Sequence, residues 1–137
     1  MGCVQKAGKV PLCGALAFGE FPKADGGLYL VNGPGNDMVA VTNLAASGAH
    51  LILFTTGRGT PLSSVIPTLK ISTNTPLAQK KPHWIDFNAG TLLNGADADT
   101  LATELYQLCL AVAEGKESKS EALGFYDLAI FKDGVTL

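Results

Sequence analysis

The sequence predicts an α/β domain: a mainly parallel sheet of four or five strands, flanked by helices in three layers, with the strand at 51–54 near its centre. Three observations predict it. Residues 28–54 run apolar strand, glycine-rich turn, amphipathic helix and apolar strand again, which is the βαβ pattern. Apolar runs at 28–31, 51–54, 68–72 and 83–87 each end in a short polar stretch of Asn, Thr, Asp and Gly, as parallel strands do where their carboxyl ends meet on one side of a sheet. The 137 residues fit one domain. A chain of that length buries roughly 65–70% of the surface it would expose unfolded.

Taken in order, the chain opens with a small basic loop at Lys6, Gly8 and Lys9. Residues 11–18 follow as a helix with Pro11 at its first position, although Gly14 weakens it. Residues 24–27 (Ala24, Asp25, Gly26, Gly27) form a turn, and Leu28, Tyr29, Leu30 and Val31 a buried strand. The loop at 32–37 leads to a helix over 38–47, with Met38, Val41, Leu44 and Ala45 on one face, Asn36 or Asp37 as cap, and Gly48 beyond its end. After the strand at 51–54 comes an irregular stretch at 63–67, then a strand at 68–72. Pro76 opens a short helix over 77–81, and 83–87 is a fourth strand with 88–90 as its exit. Asp97 or Asp99 caps a helix over 101–114, whose core stripe is Leu101, Leu105, Leu108, Cys109 and Val112 and whose end is Gly115. A charged surface loop at 116–121 and a last strand at 128–131 complete a Rossmann-like plan.

Apolar residues make up 47% of the chain and charged ones 16%, against roughly 25% charged in ordinary soluble domains. With a positive mean hydropathy, this points to surface covered by a partner or a neighbouring domain, or else to an unusually large core. The net charge of −2 and the lack of a basic run give no electrostatic basis for nucleic-acid binding. No apolar stretch approaches the ~20 residues of a membrane span, and the first residues lack the apolar region of a secretory signal. Three cysteines without paired spacing fit a reducing, cytoplasmic compartment.

The segment most suited to chemistry follows the strand at 51–54. Thr55, Thr56, Gly57, Arg58, Gly59 and Thr60 combine hydroxyls, two glycines that let backbone N–H groups approach a ligand, and the only arginine of the chain. Guanidinium grips a carboxylate or phosphate through two parallel hydrogen bonds. The loop lacks the third glycine of a dinucleotide fingerprint and the Gly-Lys-Ser/Thr ending of a P-loop. The other strand exits add Asn36, Asp37, Asn74, Thr75, Asp86 and Asn88, a set suited to a hydroxylated anion. Each of these residue types is also ordinary turn and cap chemistry. Asp37 and Asp86 are the carboxylates best placed for proton transfer. Asp37 stands at a helix N-terminus and suits a cap, whereas Asp86 lies between Ile85 and Phe87. Cys3, Cys13, Cys109, His50 and His83 show no metal-ligand spacing, and no Gly-x-Ser-x-Gly elbow is present.

Five strings in order, around Pro34–Asp37, 53–61, 70–75, 84–90 and 130–137, together with the opening at 2–8, closely resemble the C-terminal part of the altronate/galactarate dehydratase family, most nearly its altronate branch. The resemblance runs end to end. It implies a hydro-lyase that removes water from a sugar acid, altronate giving 2-dehydro-3-deoxy-gluconate, with ferrous iron or a similar divalent cation. It further implies a preceding region with a small metal-associated N-terminal domain as partner, so that this chain alone binds no metal and turns over little or no substrate. A homo-oligomer is compatible with it. On this reading Arg58, Asp86 and Asp37 are catalytic, and Asn36, Thr55, Thr56, Gly57, Gly59, Thr60, Asn74 and Asn88 hold substrate. The alternative is a non-catalytic α/β module that provides a dimer interface or a small-anion pocket.

Overall fold

A computed structural model describes residues 8–23 and 26–130. The opening string, the start of the turn at 24–27 and the end of the strand expected at 128–131 lie outside them. The fold is α/β with parallel strands, as expected, and the strands fall into two sheets. Strand β1 (Leu12–Leu16) pairs parallel with β2 (Leu28–Val31), with a register shift between Leu12 and Gly14. Strands β3 (Ile52–Thr56), β4 (Thr68–Ser72) and β5 (Phe87–Asn88) form the second sheet in that order, also parallel. β1 replaces the helix expected over 11–18. Gly14 weakens a helix here, and an extended chain is favoured once β2 offers a ladder, so tertiary pairing outweighs local propensity.

Helix α1 (Asp37–Ala46) joins the two sheets through side chains rather than a shared ladder. On one side Val41 is packed with Ile52 and Leu62, with Met38, Leu44, Phe54 and Ile66 around them. On the other, the buried Asn43 donates Nδ2 to the Asn32 carbonyl at 2.9 Å and accepts the Gly19 N–H at 2.8 Å. Burying that amide is tolerable because both ends are hydrogen-bonded.

The strand expected at the centre, β3, is an edge of its sheet. Ile52 is buried and Leu53 is 48% exposed, so only one face is covered. β4 is the central strand, and all five of its residues are buried. Helix α2 (Thr75–Lys80) follows it, and a 3-10 turn (Ala89–Asn94) follows β5. Helix α3 (Ala98–Ala113) shows the expected stripe as its less exposed side, although only Val112 is buried outright. The segment expected as a loop at 116–121 contains helix α4 (Lys119–Ala122), which begins with a complete capping box between Ser118 and Glu121. Residues 125–130 form no strand, and Ile130 is 96% exposed.

Candidate functional site

The exits of β3, β4 and β5 meet at one edge. The Thr56 hydroxyl accepts the Gly59 N–H at 2.9 Å, which closes the turn that carries Arg58 at its exposed tip. Gly59 has φ +81°, and a Cβ there would stand 2.9 Å from Leu77 Cδ1, so glycine is needed both for the turn and for the close approach. Asn74 ties this loop to the next: its Nδ2 donates to the Gly57 carbonyl at 3.0 Å, and its Oδ1 accepts the Leu77 N–H at 2.9 Å as cap of α2. Asn88 does the same one strand further on, donating to Thr75 Oγ1 at 3.2 Å and accepting the Gly90 N–H at 3.0 Å. The two backbones touch at Gly90, where a Cβ would fall 2.3 Å from the Asn74 carbonyl carbon and the Thr75 nitrogen. The three exits are thus sewn into one rigid rim.

This geometry sorts the expected site residues. Thr56, Asn74 and Asn88 spend their polar atoms on holding the rim, and Thr60 Oγ1 accepts the Leu62 N–H at 3.3 Å. The Gly59 N–H is engaged by Thr56, whereas the Gly57 N–H makes no hydrogen bond among the described residues. Arg58 and Thr55 face outward, and Arg58 has no hydrogen-bond or ion-pair partner among the described residues. The rim therefore presents one exposed guanidinium on an anchored loop.

Asn36 and Asp37 belong to the β2 exit, on the other sheet, and no hydrogen bond joins them to the rim among the described residues. Asn36 Oδ1 accepts the N–H groups of Met38 and Val39 at 3.1 and 3.2 Å, which makes Asn36 the cap, and Asp37 is exposed in the first turn. Asp86, expected as a proton-transfer residue, is a staple. Its Oδ2 accepts the Lys70 N–H at 2.7 Å and its Oδ1 the Lys119 N–H at 2.8 Å, joining β4 to the start of α4. Lys119 Nζ completes the clasp on the carbonyls of Pro82 and Ile85. Both carboxylate oxygens are committed to backbone, so a structural task accounts for this residue.

Sequence reasoning missed a buried polar cluster behind the rim. Lys70, in the middle of β4, is 1% exposed, and its Nζ makes no hydrogen bond or ion pair among the described residues. Burial pushes its pKa below the ordinary lysine value, while Asp86 and Asp127 pull it back part of the way. Asp127 Oδ2 accepts the Ser63 N–H at 3.2 Å. The hydroxyls of Ser63 and Ser120 are buried without a hydrogen-bond partner. Asp127 also lines a pocket of about 330 Å³ with Met38, Thr60, Pro61, Leu62 and Phe125. The one available signal was the alternation Thr68, Lys70, Ser72, which normally marks a solvent-facing side of a strand and here lies on a strand paired on both edges.

Among the described residues no three His, Cys, Asp or Glu side chains gather closely enough to hold a metal ion. No helix among them is long and apolar enough to cross a membrane.

A parallel α/β unit with a glycine-rich, arginine-bearing loop beyond its strand ends is of the class that places ligand loops at that edge. More particularly, the chain belongs to the D-galactarate/altronate dehydratase, C-terminal family, whose model matches residues 1–136. It is 48% identical over 137 residues to altronate dehydratase of Escherichia coli (strain K12), and 47% identical over 138 residues to altronate dehydratase of Bacillus subtilis (strain 168). Each alignment covers 100% of this chain and 28% of the relative. It is 35% identical over 135 residues to galactarate dehydratase (L-threo-forming) of Escherichia coli (strain K12), covering 96% of this chain and 26% of that protein. The chain thus spans little more than a quarter of the length of the relatives it matches.

Proposed function

We propose that this chain acts as the C-terminal portion of a sugar-acid hydro-lyase that dehydrates altronate to 2-dehydro-3-deoxy-gluconate, with Arg58 gripping the substrate carboxylate. The observation that carries the reading is the identity of 47–48% along the whole chain to two altronate dehydratases, against 35% to a galactarate dehydratase. Arg58 on its rigid rim supplies the chemistry. Dehydration removes the proton α to a carboxylate and builds negative charge on that carboxylate, and a fixed donor aimed at those oxygens is worth about 3–4 kcal/mol of barrier. The free Gly57 N–H beside Arg58 adds a second donor.

The divalent metal of such an enzyme, ferrous iron on the family resemblance, finds no ligand cluster among the described residues. The residues here do not fit it, and no step above passes through it. In this reading the metal, the small N-terminal domain and most of the substrate pocket come from the further length that the relatives possess, in a cytoplasmic enzyme that binds neither nucleic acid nor membrane. Altronate dehydration is assayed with this chain alone and joined to the rest of a dehydratase polypeptide with iron. Turnover only in the joined form is expected, and its absence there sinks the proposal.

A second reading, a non-catalytic interface module, draws on the exposed apolar side chains of Leu53, Tyr106, Leu110, Leu123, Leu128 and Ile130. It predicts a joined enzyme that is indifferent to Arg58 and sensitive to polar substitution at those positions, as a homo-oligomer or domain contact would be.

A further inference from the structure

The rim accounts for carboxylate binding and leaves the proton of the reaction without an acceptor. Asp37 is an exposed first-turn residue and Asp86 is committed to two backbone N–H groups. Asp127 differs from both. Only Oδ2 has a described hydrogen-bond partner, the Ser63 N–H at 3.2 Å, and Asp127 is one of the residues that line the pocket of about 330 Å³, together with Thr60 from the Arg58 loop. Behind it lies Lys70, enclosed in the protein with no hydrogen bond or ion pair to its Nζ among the described residues. Ser63, whose N–H holds Asp127, is fully buried, and its hydroxyl is unpartnered. Buried polar groups left unsatisfied are uncommon and concentrate where chemistry is done.

We propose that Asp127 is the proton acceptor for the C2 hydrogen of the sugar acid, and that Lys70 is the positioning residue behind it. This rests on the function proposed above and deepens it. The pocket is lined by Thr60, two residues beyond Arg58 in the same loop, as well as by Asp127, and in this proposal one hydroxy acid places its carboxylate towards Arg58 and its C2 hydrogen towards Asp127. The Asp127 carboxylate takes the C2 proton, and the C–H electron pair passes into the substrate carboxylate as the aci-form. The pair returns as the C2–C3 double bond forms and the C3–O bond breaks. The departing hydroxide takes the proton that Asp127 accepted and leaves as water, and the enol becomes the 2-keto acid. No oxidant or reductant enters. Lys70, within electrostatic reach of Asp86 and Asp127, offsets the carboxylate charge, and burial weakens its own hold on a proton.

The test uses this chain joined to the rest of the dehydratase, with altronate in deuterated water, following both product and C2–H exchange by NMR. Asp127→Asn keeps an oxygen for the Ser63 N–H and is expected to lose 10²- to 10⁴-fold in turnover, the usual contribution of a general base, with altronate binding changed only a few-fold. Lys70→Met is expected to lower turnover and to shift the pH profile of kcat, which a merely structural lysine would not do. Should Asp127→Asn fail to fold, Asp127→Glu keeps the charge but moves the oxygens, and it too must lose turnover. Wild-type dehydration that Asp127→Asn or Asp127→Glu leaves intact overturns this assignment alone. A wild-type enzyme that leaves altronate unchanged overturns the proposed function and this inference with it.

Discussion

Replacing Asp86 by alanine removes two acceptors at once. The carboxylate receives the Lys70 N–H at 2.7 Å on one oxygen and the Lys119 N–H at 2.8 Å on the other, so it bonds the central strand to the first turn of α4. Hydrogen bonds to a charged group contribute about 1.5–3 kcal/mol each. The Lys119 end is exposed and belongs at the low end of that range. The two together give about 3 kcal/mol after allowing for water at the freed N–H groups and for non-additivity within one side chain. Unfolding entropy of about 2.1 cal/mol/K per residue makes 1 kcal/mol worth about 3–4 °C in a chain of this length, so Asp86→Ala should lower Tm by about 10 °C. Asp86→Asn keeps one acceptor but turns an NH2 towards the other N–H, and should fall between. Calorimetry on the chain, paired with activity of the joined enzyme, separates structure from catalysis. An unchanged Tm with activity lost a hundredfold or more would refute the staple and return Asp86 to proton transfer.

Arg58→Ala should lower kcat/KM of the joined enzyme 10- to 150-fold, since a charge-assisted partner is worth about 1.5–3 kcal/mol and about 1.4 kcal/mol is one decade. Tm should hardly move, because the guanidinium has no partner to lose among the described residues; kinetics at the wild-type level would refute the carboxylate grip. Gly90→Ala should unfold the rim, because its Cβ would sit 2.3 Å from backbone of Asn74 and Thr75, and neither chain can retreat without breaking the Asn88 bridge; a variant with wild-type Tm would show that the close approach does not exist. Lys70 supplies a pH test. Burial, opposed by Asp86 and then Asp127, sets its folded pKa below the ordinary 10.5. Between those two values the unfolded chain binds more protons than the folded one, so stability attributable to Lys70 rises with pH up to the unfolded value. In urea unfolding across alkaline pH, Lys70→Met should lack that rise relative to wild type, and parallel curves would refute it.

Much of the fold was legible because local signals and tertiary demand agreed. The strands at Leu28–Val31 and Thr68–Ser72, the Asn36 cap, the start of α2 near Pro76 and the stripe of α3 all stand where periodicity and capping placed them. The misses have separate causes. β1 was hidden because its partner lies at Leu28–Val31, beyond any local window. The strand expected over 83–87 shrinks to Phe87–Asn88 because the chain keeps turning after α2: the Trp84 and Ile85 N–H groups both return to the Lys81 carbonyl, and Lys81 Nζ lies 3.8 Å from the Trp84 ring centre. Ser118 and Glu121 carried the spacing of a capping box, and the charges around them masked it. At the rim, Arg58 stood out in the sequence because an arginine between glycines has few structural uses, and the structure places it at the exposed tip of the loop. The surroundings of Asp127 were not legible, since Ser63 and Lys70 are 64 and 57 positions away in the chain.

The central strand carries an unusual buried polar face. Thr68, Lys70 and Ser72 alternate with Leu69 and Ile71, a pattern that would normally give one wet and one dry face, yet all five residues are buried. A polar face closed off from water must find partners, at about 1–3 kcal/mol for each group that fails. Most of this face succeeds: Thr68 shares a hydroxyl contact of 3.1 Å with Ser64, and Ser72 Oγ donates to the Asn74 carbonyl at 2.6 Å. Around it the hydroxyls of Ser63 and Ser120 are buried without a hydrogen-bond partner, and Lys70 Nζ has no hydrogen bond or ion pair among the described residues. Two of them are tied to a carboxylate: Ser63 holds Asp127 through its N–H, and Lys70 is drawn towards Asp127 as well as Asp86. The ends of the central strand are thus satisfied through Ser64 and Asn74, while Lys70 in its middle is enclosed with the charges of Asp86 and Asp127 acting on it, which is where the proposed proton transfer would be tested first.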